Sequence, residues 1–255
     1  MKHTLMLLIA TLLAVSSAIG APEKEKKKTR RFDCRERVEK AIARYEKGRY
    51  NDVRTKLDEV RYQCGGHSVM DTVLYYLGMA HLRGKQPLEA KGHFERLVQH
   101  YPNSVFAREA LFRIGHAGFL ESNPYNRDQT ETRRAIRELR VFIETYPESP
   151  LVDSARIYLD KCNDKLAHKQ YSSARFYHRI DEYEAAIVYY RTLVEEYPRS
   201  AYVGESKLYM AQALAKINRG GEALSVVEEL LEGDYREEIR RKARQLRASL
   251  KKGSS

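Results

Sequence analysis

Tryptophan is absent from the 255 residues, and glycine (14), proline (7) and cysteine (3) are sparse. So little glycine and proline cannot supply the closely spaced turns of a β-sandwich or barrel. Three cysteines are too few for a small fold built on disulfides. Catalytic signatures are missing as well: there is no His-Glu-x-x-His, no glycine-rich phosphate loop and no Gly-x-Ser-x-Gly elbow. The eight histidines are scattered over separate segments. The sequence therefore predicts a protein that is not an enzyme and needs no cofactor or metal. What is present is 42% hydrophobic residues, 32% charged residues and 18 tyrosines, enough for a real core in an all-α body and too apolar for a disordered chain.

Long apolar runs are confined to the N-terminus. Lys2 and His3 precede an apolar stretch from Leu5 to Val15, followed by the small residues Ser16 to Ala21. That order predicts a secretory signal peptide over residues 1–20, too short to span a bilayer. A basic tether follows over 21–32, rich in lysine from Lys24 to Arg31, and could touch an anionic membrane surface. Export turns the net charge of +11 away from nucleic acid and toward anionic lipid and acidic protein. In an oxidising compartment Cys34 and Cys64, at the outer ends of the first two helices, could form a disulfide. Together with His67 they could instead offer three zinc ligands, with the fourth missing.

Internal repetition is the strongest signal. Tyr-Pro-x-Ser occurs at 101–104, 146–149 and 197–200, each time closing an amphipathic segment. Read backward from each proline, small and large residues recur in tetratricopeptide (TPR) order: Leu74, Leu77, Gly78, Ala90, Phe94, Leu97 and Pro102 in the second repeat, and Ala174, Tyr177, Ala186, Tyr190, Leu193 and Pro198 in the fourth. A superhelix of about five TPR helix-turn-helix repeats is expected over 33–250, at about 33–64, 68–102, 105–147, 167–198 and 201–232. An additional helix over Leu151–Leu166 runs toward the fourth repeat, a basic terminal helix covers 235–250, and 251–255 forms a disordered tail. Gly65-Gly66 and Gly220-Gly221 are expected in turns that want positive φ. TPR arrays bind extended or helical peptides, and Tyr62, Tyr75, Tyr76 and Arg83 are candidates for that contact because tyrosine and arginine make good anchors.

The third repeat carries a more specific pattern. Glu121-Ser122-Asn123-Pro124-Tyr125-Asn126-Arg127-Asp128-Gln129-Thr130 is an insertion of about eight residues between the two helices, and the pattern continues through Lys165-Leu166-Ala167, Ala174-Arg175-Phe176-Tyr177 and Tyr183-Glu184-Ala185-Ala186. With its insertion in the third repeat, the chain resembles the BamD family of outer-membrane β-barrel assembly factors over roughly residues 33 to 232. The resemblance implies a scaffold on the periplasmic face of the outer membrane. Such a scaffold partners a BamA-type barrel protein through its POTRA domains and receives unfolded outer-membrane β-barrel proteins at its N-terminal repeats. Tyr62 falls where the family has an aromatic tied to substrate recognition. Tyr189, Tyr190, Arg191 and Tyr209 are candidates for the partner contact, and an Arg127–Asp128 ion pair, beside Gln129, is expected to pin the insertion. Family members are usually lipoproteins, yet here Ala21 follows the small residues and no cysteine occurs before Cys34. A periplasmic TPR adaptor serving envelope or peptidoglycan machinery is the alternative reading.

Overall fold

The computed structural model describes residues 32–253. The expected signal peptide, all of the tether but Phe32, and the last two residues lie outside them. The described residues form α1 (Cys34–Glu46), α2 (Tyr50–Gln63), α3 (Met70–Arg83), α4 (Pro87–His100), α5 (Ala107–Glu121), α6 (Thr130–Thr145), α7 (Val152–Arg179), α8 (Tyr183–Glu196), α9 (Val203–Lys216), α10 (Gly220–Glu232) and α11 (Glu237–Gly253). Each helix packs on the next in the chain, while α1 also meets α3, α5 meets α7, and α9 meets α11. Odd-numbered helices up to α9 are therefore the first (A) helices of five hairpins, and α11 closes the stack.

The same local chemistry makes four of the five hairpins, the exception being α5–α6, which the insertion joins. Where an A helix ends, one residue turns into the left-handed region: Gly48, Lys85, Asp181 and Asn218, with φ of 73°, 57°, 61° and 59°. The next amide then reaches back to the carbonyl five residues earlier, as from Arg49 to Arg44, Gln86 to His81, Glu182 to Tyr177 and Arg219 to Leu214. Gly66 also has positive φ. Gly220 and Gly221 do not, because they lie in the first turn of α10 and Asn218 makes the bend. At the three Tyr-Pro-x-Ser sites the serine amide bonds the tyrosine carbonyl, and its hydroxyl accepts from the amide two residues on, at 3.2–3.3 Å. The serine thus folds the connection itself instead of capping the next helix directly.

Within a hairpin the helices touch through small residues. An added Cβ at Gly78 would lie 2.6 Å from the Phe94 ring, and one at Gly115 would lie 2.7 Å from Leu139. Phe94, Leu139, Phe142 and Tyr190 are fully buried, so the layers interlock without slack.

Two elements position the surfaces discussed below. The expected extra helix and the first helix of the fourth repeat are a single rod, α7, 28 residues long with no Gly or Pro to break it. Helix α11 runs through Lys251 and Lys252 to Gly253, beyond the Leu250 where sequence placed its end. No helix among the described residues is long and apolar enough to cross a membrane.

Candidate functional site

The N-terminal hairpins assemble a row of rings from separate segments. Tyr45 at the end of α1 meets Tyr50 at 5.3 Å and Tyr76 of α3 at 5.4 Å. Tyr76 lies 5.3 Å from Tyr75, which stacks on Phe106 at 4.4 Å just before α5. Helical periodicity explains the division within α3. Tyr75 is buried among Leu74, Phe94 and Ala110, whereas Tyr76, one position on, is half-buried. Burial first, and the Glu109 carboxylate second, push the Tyr75 hydroxyl far above its usual range. Tyr75 is therefore support for the row, and of the candidate pair Tyr75 and Tyr76 it is the one that the core takes.

Arg83 is exposed at the end of α3, and the neighbouring Tyr45 hydroxyl raises its pKa. Together with Arg49, Tyr50 and Asp52 it lines an open cleft of about 460 Å³ beside the α1–α2 turn. Tyr62, 87% exposed, sits on α2 and joins no ring contact among the described residues. Tyr76 and Arg83 are thus brought together with two residues that sequence reasoning missed, Tyr45 and Phe106. Hydrophobic periodicity alone could not show that consecutive A helices align these rings.

Cys34 and Cys64 form a disulfide with a Cα–Cα separation of 6.1 Å, joining the start of α1 to the end of α2. No cluster of metal-ligating side chains occurs among the described residues. Cys162 is buried and free, its thiol pushed up to about 11 by burial.

The insertion between α5 and α6 is held differently from expectation. Among the described residues Arg127 and Asp128 make no ion pair. Asp128 instead accepts from the Thr130 amide and hydroxyl at the start of α6, which lowers its pKa. Gln129 is buried and donates through Nε2 to the carbonyls of Pro124 and Arg127, while its Oε1 accepts from Thr132. Lys165 donates to Ser122, and Tyr125 stacks on His168 with ring centres 3.6 Å apart. Both Lys165 and His168 lie on α7, so the insertion is fastened to the middle of the long rod.

Of the proposed partner residues, Tyr190 is fully buried and packs in the core with Ile187 and Leu214, its pKa raised to about 12 by burial. Tyr189 is half-buried and stacks on Tyr177. Tyr209 is half-buried beneath the Arg175 guanidinium, 3.8 Å away. Arg191 is exposed, pairs with Glu222 at 3.8 Å, and lines a groove of about 260 Å³ among α8, α9 and α10. The structure therefore leaves Tyr189, Arg191 and Tyr209 accessible in some degree and removes Tyr190.

Known proteins match both the repeats and the half of the chain that follows the insertion. A tetratricopeptide-repeat profile matches residues 72–104, the span of α3 and α4. The profile described as "Outer membrane lipoprotein" (YfiO) matches residues 116–223. The outer membrane protein assembly factor BamD of Caulobacter vibrioides is 28% identical over 84% of this chain and 72% of its own length. The chain is similar to BamD proteins. BamD of Pasteurella multocida is 23% identical over 67% of this chain and 70% of its own length. Among solved structures, the TPR2AB domain of yeast Sti1 is 13% identical, covers 87% of this chain and 84% of its own, and gives a TM-score of 0.44. The fold is a TPR superhelix, as its own hairpins show, and the BamD likeness extends across nearly all of it. The BamD relatives are named assembly factors of the outer membrane.

Proposed function

We propose that this chain is a non-catalytic scaffold of outer-membrane β-barrel assembly, working on the periplasmic face of that membrane. It binds a BamA-type barrel protein through its POTRA domains and holds unfolded barrel clients for insertion. The observation that carries the client half is the row Tyr45, Tyr76 and Phe106, reinforced by Tyr75, beside the Arg83 cleft. Half-buried rings anchored from behind give an extended, aromatic-rich strand flat surfaces to pack on at low entropic cost. Arg83 and Arg49 add positive charge where such a strand would carry its polar groups. Arg191 with Tyr189 and Tyr209 serves the barrel protein at the C-terminal repeats.

A fluorescent peptide copied from the last strand of a barrel protein tests the client half. Tyr45→Ala with Tyr76→Ala should weaken its binding about tenfold or more, with the helical melting transition kept as the check on folding. Equal affinity for parent and variant would move the client site elsewhere. Pull-down from detergent-solubilised envelope tests the scaffold half. A BamA-type barrel is the expected main partner, and recovery of peptidoglycan or division proteins without it would replace this reading with the adaptor.

A further inference from the structure

The C-terminal helix is the most lopsided element of the protein. Helix α11 carries seven Lys or Arg against two Glu, while its neighbour α10 carries four Glu and no basic residue. Its apolar side is fully used: Ile239 and Ala243 are buried, and Leu246 and Leu250 pack with them against Leu208, Ala211, Val227 and Leu230. At 100° per residue the opposite side presents Arg241, Arg244 and Lys252 with only Glu237 and Ala248 between them and Gln245 alongside. The flank toward α10 bears Arg240 and Arg247. Several of these cations lean on single glutamates: Arg240 and Arg244 share Glu237, and Arg247 and Lys251 share Glu228. Arg241 and Lys252 enter no ion pair among the described residues, although Arg241 is close enough to Glu238 to add to the lowering of its pKa by Lys242. Arg236, just before the helix, is 68% exposed although it pairs with Glu205.

We infer that the outer face of α11 docks on an anionic phospholipid surface. Two observations favour a lipid surface over an acidic protein. First, among the described residues none of the large exposed apolar side chains lies beyond Val188, and the outward face of α11 itself carries nothing apolar larger than Ala248. Protein interfaces are centred on such anchors, whereas attraction to headgroups needs charge alone. Second, the apolar stripe of α11 is spent on α9 and α10, so the helix lies against headgroups without entering the acyl layer. The attachment is peripheral and diffuse, reads charge and not side-chain shape, and is screened by salt. It does not depend on the client or barrel contacts proposed above.

Vesicle co-sedimentation of the full mature chain tests this. The vesicles are phosphatidylethanolamine with about a third phosphatidylglycerol, compared with pure phosphatidylcholine. The parent should sediment with the anionic vesicles only and be released by about 0.5 M salt, where the Debye length falls to a few ångströms. Replacing Arg241, Arg244 and Lys252 by Gln should lower the partition coefficient about a hundredfold, at roughly fivefold for each charge lost near the surface. Arg241→Lys with Arg244→Lys should bind like the parent, because headgroups read charge. All three positions are solvent-facing, and an unchanged melting curve verifies the fold. Failure of the parent to bind, binding that ignores the three substitutions, or loss of binding in the lysine variant would each overturn the proposal. Neutralising Lys24, Lys26, Lys27 and Lys28 in parallel separates the N-terminal segment: if that change alone abolishes binding, α11 is not the docking face.

Discussion

Gly78 shows how a single hydrogen atom in place of a methyl group sets the distance between two helices. The Phe94 ring it faces is fully buried and hemmed in by Leu74, Leu97 and Ala110, so it has nowhere to retreat. Gly78→Ala should therefore destabilise the protein by about 1–3 kcal/mol, the cost of overpacking a filled core. Urea unfolding would read it, and an unchanged midpoint would mean that the second hairpin is looser than its geometry. Two histidines make a separate, pH-dependent contribution. Burial, with His81 next, lowers His93 to about 4, and burial, with Arg113 next, lowers His116 to about 4. Above the ordinary value of 6.5 both are neutral whether the chain is folded or not, and they bias nothing. Between about 6.5 and 4 the unfolded chain takes up protons that the folded one refuses, so stability falls as pH falls. The melting temperature should drop from pH 7 to pH 5, and should drop less in a His93→Gln, His116→Gln variant. A flat profile in the parent would refute the burial of both rings.

At the scale of elements, the disulfide closes the hairpin that has a neighbour on one side only. Helix α1 packs on α2 and α3 and has no preceding repeat among the described residues. The bond separates its cysteines by 30 residues, and removing it should cost that hairpin roughly 3–4 kcal/mol by the loop-entropy relation. In a repeat array such a loss stays local. Hydrogen exchange in Cys34→Ser, Cys64→Ser should speed up across α1 and α2 and leave α5 to α10 nearly unchanged; uniform acceleration would contradict the nearest-neighbour picture. The elements also show what sequence can reveal. Helix existence, the hairpin pairing and the buried set Gly78, Ala90, Phe94 and Leu97 were legible because spacing of 3.6 and small–large alternation are local. The uninterrupted α7 was half-legible: no breaker occurs between Val152 and Arg179, yet the repeat frame suggested a join at Leu166. Tyr125 on His168 was illegible, since 43 residues separate the rings and no period links a loop to a helix face. The same blindness hid Tyr45 and Phe106 beside Tyr76, and it offered Tyr75 and Tyr190 as contact candidates, although the TPR order already puts Tyr190 among the residues that pack against the next repeat.

For the molecule as a whole, α7 decides how far unfolding can remain local. Its first half packs in the core with α6, and its second half belongs to the core shared with α8 and α9. The third and fourth repeats should therefore melt together. Lys169→Pro places a breaker at an exposed position in mid-helix, costs about 3 kcal/mol, and should split one denaturation transition into two. A single transition at lower denaturant would show that packing, and not helix continuity, couples the two halves.

Continuity also fixes a count. Because each residue advances an α-helix by 100°, one residue added or removed inside α7 would swing every repeat after it about the rod by that angle. Only changes near seven or eleven residues return the later repeats close to their original azimuth. The Ser122–Gln129 insertion has no such quantum and could lengthen by single residues. Insertions and deletions among relatives are then expected in that loop, while the number of residues from Val152 to Arg179 stays fixed.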